Sequence, residues 1–416
     1  MISYLIPILV TAVGAYLLFR LRFFFILHPI RTVRQFLSAA KERDARRSLI
    51  LALAGTLGVG NIFGVAAGIM IGGAGSVFWL FISSIFSMII KYSETLLVFD
   101  SPTERGGMAS AVKGIFSRTG GILSPLYAFL TVALALLMGA AMQSAAVIDV
   151  AQKTLHIEPL ISAFILIILL LPCFFGNGKK IESVTEFVIP LTTIIYIFLA
   201  LCVIFLNFSK IWWVIFEIVS SAFTPPSILG GTVSAAFFVA VKEGFARGIL
   251  SNEAGVGTSA LAHSRSRSRT PHIAGLFGIC EVFFDTAVLC NLTAFVILLS
   301  VEDTSAFLTP MSLVTTAFTS SLGEMSGYLL LVLIFAFAYS TVICWYYYGT
   351  ECASLYFPKF RVCFVPLFAA FVVFSAYIPS YFLLSVTDAV LLFMSVITLS
   401  AILKKSDRIA ELSCKK

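Results

Sequence analysis

The sequence predicts an all-α polytopic membrane protein of about eleven transmembrane helices. Three observations carry this. First, 59% of the 416 residues are hydrophobic and only 12% are charged, where a soluble globular chain carries about 25% charged residues. Too few polar side chains remain to cover a large globular surface, and the mean hydropathy of +1.02 agrees. Second, the apolar residues gather in runs near the ~20 residues that cross ~30 Å of hydrocarbon. Outer-membrane barrel strands are instead segments of about 10 residues with alternating polarity. Third, Lys and Arg are shared unequally among the segments between the runs, as polytopic membrane proteins require. This composition excludes a soluble enzyme, a coiled coil and a disordered chain.

In chain order the runs cover 2–27, 48–71, 75–99, 122–148, 159–175, 184–207, 230–262, 273–300, 325–350, 362–379 and 381–403. In the first, no Lys or Arg precedes the apolar core, and Arg20 and Arg22 follow it. It reads as a retained helix with its N-terminus outside, not as a signal peptide. With 28–47 placed in the cytoplasm, the later loops alternate. The inside segments then hold 23 of the 28 basic residues, and the outside segments hold only Lys153 and Lys210. The C-terminus is cytoplasmic on this reading. The net charge of +7 reflects cytoplasmic loops, not nucleic acid. The run 263–270, with its alternating Ser and Arg, is such a loop, placed to touch anionic headgroups.

The chain thus divides into an N-terminal helix (1–27), a cytoplasmic basic segment (28–47), a first set of five helices (48–207), an extracellular connection (208–229), a second set of five (230–403) and a cytoplasmic tail (404–416). The eight cysteines form no C-x-x-C pair, so they read as small packing residues and not as a disulfide framework or metal site. His28, His156, His263 and His272 lie in loops or near span ends without metal-ligand spacing.

Two runs contain unusual glycine. One reads Gly55-Thr-Leu-Gly-Val-Gly-Asn61, the other Ser251-Asn-Glu-Ala-Gly-Val-Gly-Thr258. Each opens one set of five, and Gly-Val-Gly recurs at 58–60 and 255–257. Glycine-interrupted helices at corresponding positions of two halves point to a transporter binding site. An unwound stretch frees N–H groups that hold a carboxylate, and carbonyls that hold a small cation. Gly60, Gly64 and Gly68 also form a small-x-x-x-small packing face. Asn61, the repeat and the polar pair Asn252-Glu253 favour the site reading.

These residues resemble the alanine/glycine:cation symporter family, the sodium:alanine symporters. The resemblance rests on 55–66, on Arg247 to Ala260, on Glu281-Val-Phe-Phe-Asp-Thr286 with Cys290 to Ala294, on Phe337 to Gly349, and on Lys91-Tyr-Ser-Glu94. It implies a LeuT-type five-plus-five inverted repeat with one extra N-terminal helix. It also implies uptake of alanine or glycine, with D-alanine and serine as further candidates, coupled to Na+. Carried over by position, Thr56, Val59, Gly60, Asn61, Gln143, Asn252, Glu253, Ala254, Gly255 and Trp345 would contact substrate. Ala54, Leu57, Ser340 and Thr341 would hold Na+, with the two hydroxyls as side-chain ligands. Two departures stand out. Gly106-Gly107-Met108-Ala109-Ser110 replaces the family's usual Gly-Gly-Pro-Met-Tyr-Tyr-Ile, and Ala140 and Ala145 stand where the family often has asparagine. The second thins the polar lining of the pocket.

Simpler roles compete at several positions. Gln143 can bond a neighbouring helix, and Ser340 and Thr341 their own preceding carbonyls. Lys91 and Glu94, three apart on one helical face, can neutralise each other. Asp149 falls near the outer surface and needs no role. Glu253 and Asp285, charged within spans, are functional candidates by their cost; either serves as carrier if the coupling ion is H+. A channel would need no matched broken helices. A membrane-embedded enzyme would need a nucleophile–base set, which is not seen. No cofactor motif is present, the partners are the amino acid, the cation and the lipid bilayer, and nothing indicates an oligomeric state.

Overall fold

The computed structural model describes residues 5–100, 107–174, 178–223, 233–263, 270–357 and 359–414. Among these, six helices are long and apolar enough to cross a membrane: Gly75–Phe99, Gly120–Leu155, Phe187–Leu206, Pro271–Ser300, Met325–Tyr356 and Ser380–Lys404. A bent pair, Arg46–Thr56 and Gly60–Gly72, turns by 48° and makes a seventh. Arg105 and Gly106, residues 224–229 of the expected extracellular connection, and the arginines at 265, 267 and 269 lie outside the described residues.

In chain order α1 is Leu5–Arg20 and α2 is Pro29–Ala39. The broken pair is α3 (Arg43–Thr56) and α4 (Gly60–Gly72), followed by α5 (Gly75–Phe99) and the short α6 (Gly107–Ile115). Then come α7 (Gly120–Leu155), α8 (Pro159–Phe174), α9 (Gly178–Leu206) and α10 (Ile211–Phe223). The second interrupted helix is α11 (Val233–Asn252) with the single turn α12 (Ala260–His263). The chain ends with α13 (Pro271–Ser300), α14 (Pro310–Leu322), α15 (Met325–Tyr356), α16 (Phe360–Phe374), α17 (Ser380–Lys404) and α18 (Ser406–Cys414).

Two segments that read as connections contain helices. Segment 28–47 holds α2, started by Pro29, whose fixed φ suits a first helical turn. Its Ile30, Val33 and Leu37 are exposed, while Phe36 packs on Phe277 of α13. Segment 208–229 holds α10, on which Trp212, Trp213 and Phe216 are exposed. Both helices are too short to span, and both expose apolar side chains that suit a bilayer interface.

The centre is built on α5, which α1, α11 and α13 flank. The contacts are close because small residues stand at the crossings. A Cβ on Gly244 would lie 2.5 Å from the Ser76 carbonyl oxygen, and one on Gly275 would lie 2.3 Å from Leu96 Cδ1. Outward faces carry the apolar surplus, including Ile194, Phe198 and Phe205 of α9. In lipid such exposure carries no hydrophobic penalty.

Buried charges tie the helices together. Arg247 of α11 donates from Nη2 to Asp388 Oδ2 of α17 at 2.6 Å and from Nε to Glu243 Oε2 at 3.1 Å. Lys242 lies 2.8 Å from the other oxygen of Glu243. Removing one partner of such a pair strands a buried charge, at a cost of about 3–5 kcal/mol. Asp388→Ala is therefore expected to lower the thermal unfolding midpoint in detergent far more than Asp407→Ala, because the Arg20–Asp407 pair is solvent-exposed. Equal shifts would remove the α11–α17 tie.

Candidate functional site

The first break begins where α3 ends at Thr56. Leu57 leaves the helix at ψ 68°, and the Gly58 amide closes a tight turn onto the Thr56 carbonyl at 2.8 Å. A Cβ on Gly58 would lie 2.6 Å from Thr341 Oγ1 and 3.0 Å from Gln143 Oε1. Only glycine fits there without moving a neighbour. The Val59 amide donates to Gln143 Oε1 at 2.9 Å, and Gln143 Nε2 donates to the Met138 carbonyl at 3.2 Å. Thr341 donates to the Ala54 carbonyl at 3.0 Å, so α15 meets the end of α3 through one hydroxyl. Ser340 bonds the Ala336 and Phe337 carbonyls of its own helix, both at 2.9 Å. Thr56 does the same to Ala52 at 3.2 Å.

The second break runs from Glu253 to Ser259. Glu253 takes a left-handed φ of 54°, and Gly255 and Gly257 have φ of 81° and 88°. Here glycine is required by the backbone itself. Several of the backbone groups that the break releases find partners on other elements. The Ala254 amide donates to Asn252 Oδ1 at 2.9 Å, and the Gly255 amide to Glu94 Oε2 at 2.9 Å. The Val256 carbonyl accepts from Tyr127 at 2.6 Å and from Thr398 at 3.0 Å.

Asp285 joins the two breaks. It lies in a wide-turn segment, Phe283–Cys290, inside α13. Its Oδ1 accepts from Asn61 Nδ2 at 2.6 Å, and its Oδ2 accepts from Ser251 and, at 2.7 Å, from Thr286. Asn252 Nδ2 then donates to Thr286 Oγ1 at 3.0 Å. The Asp285 carboxylate thus connects the start of α4 to the end of α11. Glu253 faces elsewhere: Oε2 accepts from Thr258, and Oε1 is buried with no hydrogen-bond partner among the described residues.

A second cluster lies on the far side of Glu94. Lys91 is wholly buried, with Nζ 3.4 Å from Glu94 Oε1, 3.3 Å from Glu281 Oε1 and 2.6 Å from Ser259 Oγ. His263 Nε2 lies 2.8 Å from Glu281 Oε2. Lys91 and Glu94 therefore do more than neutralise each other, because Glu281 shares the ammonium and Glu94 also caps the second break. His263 and His272, expected in loops or at span ends, are buried and paired, His272 with the Tyr92 hydroxyl at 2.8 Å. Sequence reasoning passed over Glu281, Ser259 and His263; a carboxylate inside an apolar run was the available signal.

Between the first break and α9, α13 and α15 lies a cavity of about 10 Å³, walled by Leu57, Gly58, Asn61, Tyr196, Leu289 and Phe337. That is room for about one water. Trp345 is fully buried against Gly139, one turn before Gln143, where a Cβ would lie 2.3 Å from the Trp345 Cβ.

The family model described as sodium:alanine symporter matches residues 1–413. The sodium/alanine symporter AgcS of Methanococcus maripaludis is 33% identical, over 74% of this chain and 69% of that protein. The probable sodium/glutamine symporter GlnT of Bacillus subtilis is 30% identical, over 83% of this chain and 73% of its own. The crystal structure of MhsT in complex with L-phenylalanine shares the fold, with a TM-score of 0.63 at 13% identity, covering 88% of this chain and 94% of that one.

Gly58→Ala is expected to lower the thermal midpoint in detergent, since Thr341 and Gln143 must shift at a cost of about 1–3 kcal/mol. Gly114→Ala, with open space at its Cβ, serves as control. A Gly58 variant as stable as that control would show that the break is not tightly packed.

Proposed function

The chain belongs to the sodium:alanine symporter family and is a multi-pass membrane protein, a sodium-coupled amino acid symporter and not an enzyme; from that premise we propose that it imports a small neutral amino acid, alanine or glycine. The observation that carries this reading is the meeting of the two broken helices at Asp285, beside the Val59 amide and the Thr341–Ala54 contact.

Gln143 Oε1 occupies the Val59 N–H where a substrate carboxylate oxygen would sit. In the proposed cycle the carboxylate takes over that amide and Gln143 turns toward the ligand. Asn61, Gly60 and the segment Asn252 to Gly255 complete the polar side, and Trp345 backs the apolar side. Na+ sits between the carbonyls of Ala54 and Leu57 and the hydroxyls of Thr341 and Ser340, since oxygen ligands suit a hard cation. The central cavity, near one water in size, must open to admit an amino acid. Opening and closing then follow from rocking of one helical set against the other.

The proposed architecture counts eleven spans: α1, an inverted repeat over 48–207 and another over 230–403. The N-terminus is outside, and 28–47 and 404–416 are cytoplasmic. One Na+ crossing 100 mV yields about 2.3 kcal/mol, and a tenfold gradient adds about 1.4 kcal/mol. Together these support accumulation of several hundredfold, so one ion suffices. A second reading is proton coupling through Glu253, favoured by its buried, unpartnered Oε1.

Labelled alanine and glycine uptake into proteoliposomes decides between the two. Uptake is expected to require an inward Na+ gradient; uptake driven by a proton gradient alone moves the coupling site to Glu253 or Asp285. Ser340→Ala with Thr341→Ala is expected to raise the Na+ concentration for half-maximal uptake roughly tenfold, the worth of one lost charge-assisted contact. An unchanged Na+ dependence removes the cation from α15. Gln143→Ala is expected to reorder preference among alanine, glycine, serine and glutamine, and an unaltered order returns Gln143 to helix packing.

A further inference from the structure

Asp149 lies six residues beyond Gln143 on α7, about 9 Å farther along the axis. It borders a cavity of about 430 Å³ between the end of α4, the start of α14 and the chain from α16 into α17. Met70, Thr309, Tyr377, Ser380 and Tyr381 also line it, and no Lys or Arg does. Asp149 Oδ2 has no hydrogen-bond partner among the described residues. The nearest basic residue in sequence, Lys153, one turn on, spends its ammonium on α14, donating to the Ser312 carbonyl at 2.9 Å and to Thr316 Oγ1 at 2.6 Å. The Thr309 hydroxyl donates to the carboxylate and accepts the Ser312 amide at 3.2 Å as the cap of α14.

Among the described residues that line this cavity no cation offsets Asp149, and a carboxylate set in such a low-dielectric wall attracts positive charge. Tyr377 and Tyr381 line the same space, and aromatic rings near a cation favour one that is only partly dehydrated. Na+ has a central site of carbonyls and hydroxyls in the proposed function. The group left to be caught at the rim is the other positive charge entering with it. We propose that this cavity is an outer capture site, where Asp149 binds the α-ammonium of the incoming amino acid before it passes along α4 to the broken helices. The inference rests on the proposed function for the direction of entry and the class of substrate.

Asp149→Asn in proteoliposomes tests it. The expected result is a KM for alanine raised about fivefold, the worth of one partly exposed charge pair, with Vmax, Na+ half-saturation and thermal midpoint unchanged. Asp149→Glu should recover most of the wild-type KM. An unchanged KM, a fall in Vmax alone, or a raised Na+ half-saturation with unchanged alanine KM would each overturn the site. If the wild type takes up neither alanine nor glycine, the proposed function fails, and methylammonium binding to the solubilised protein still decides the capture site. Saturable binding lost in Asp149→Asn supports it, and equal binding in both proteins overturns it.

Discussion

Hydrocarbon offers no hydrogen bonds, so every backbone group released by a broken helix must find a partner inside the protein. The centre of this molecule is arranged around that constraint. Gln143 takes the Val59 amide, Glu94 takes the Gly255 amide, and Tyr127 and Thr398 together take the Val256 carbonyl. These partners come from α7, α5 and α17, so satisfying two short breaks fixes the relative position of five helices. In the proposed cycle the bond from the Val59 amide to Gln143 is the one that a substrate carboxylate replaces. A break held by side chains, not by its own helix, can exchange partners without unfolding.

Burial of charge follows the same rule. An isolated ion in the membrane core is costly, and the ions here come in clusters that share partners. Lys91 is divided between Glu94 and Glu281, and Arg247 between Glu243 and Asp388. Asp285 has no cation beside it; its oxygens are held by Asn61, Ser251 and Thr286. The Lys91 cluster locks α12 and the second break to α5 and α13. Asp285 sits where the two breaks meet and is held by neutral donors, which yield more readily than a salt bridge.

Much of this was legible in the chain. Apolar runs, Lys and Arg asymmetry and the repeated Gly-Val-Gly are local or one-dimensional signals, because hydrophobic thickness and backbone strain act on consecutive residues. They located the six long apolar helices and both breaks, and the resemblance in 247–260 led to the family. They did not show that 28–47 and 208–229 contain helices, since a short amphipathic segment between charged clusters reads as a loop. They placed His263 and His272 in loops or near span ends but did not show their pairing, because a polar residue there is paired only if a distant helix supplies the partner.

The sequence by itself determined that this is a membrane protein of long apolar helices with two glycine-rich interruptions. Composition and periodicity are sufficient for that. Only the tertiary structure decided what those interruptions touch. Val59 and Gln143 are 84 positions apart, and Asn61 and Asp285 are 224 apart. No local preference encodes such pairs, because they exist only once helices distant in sequence have packed together.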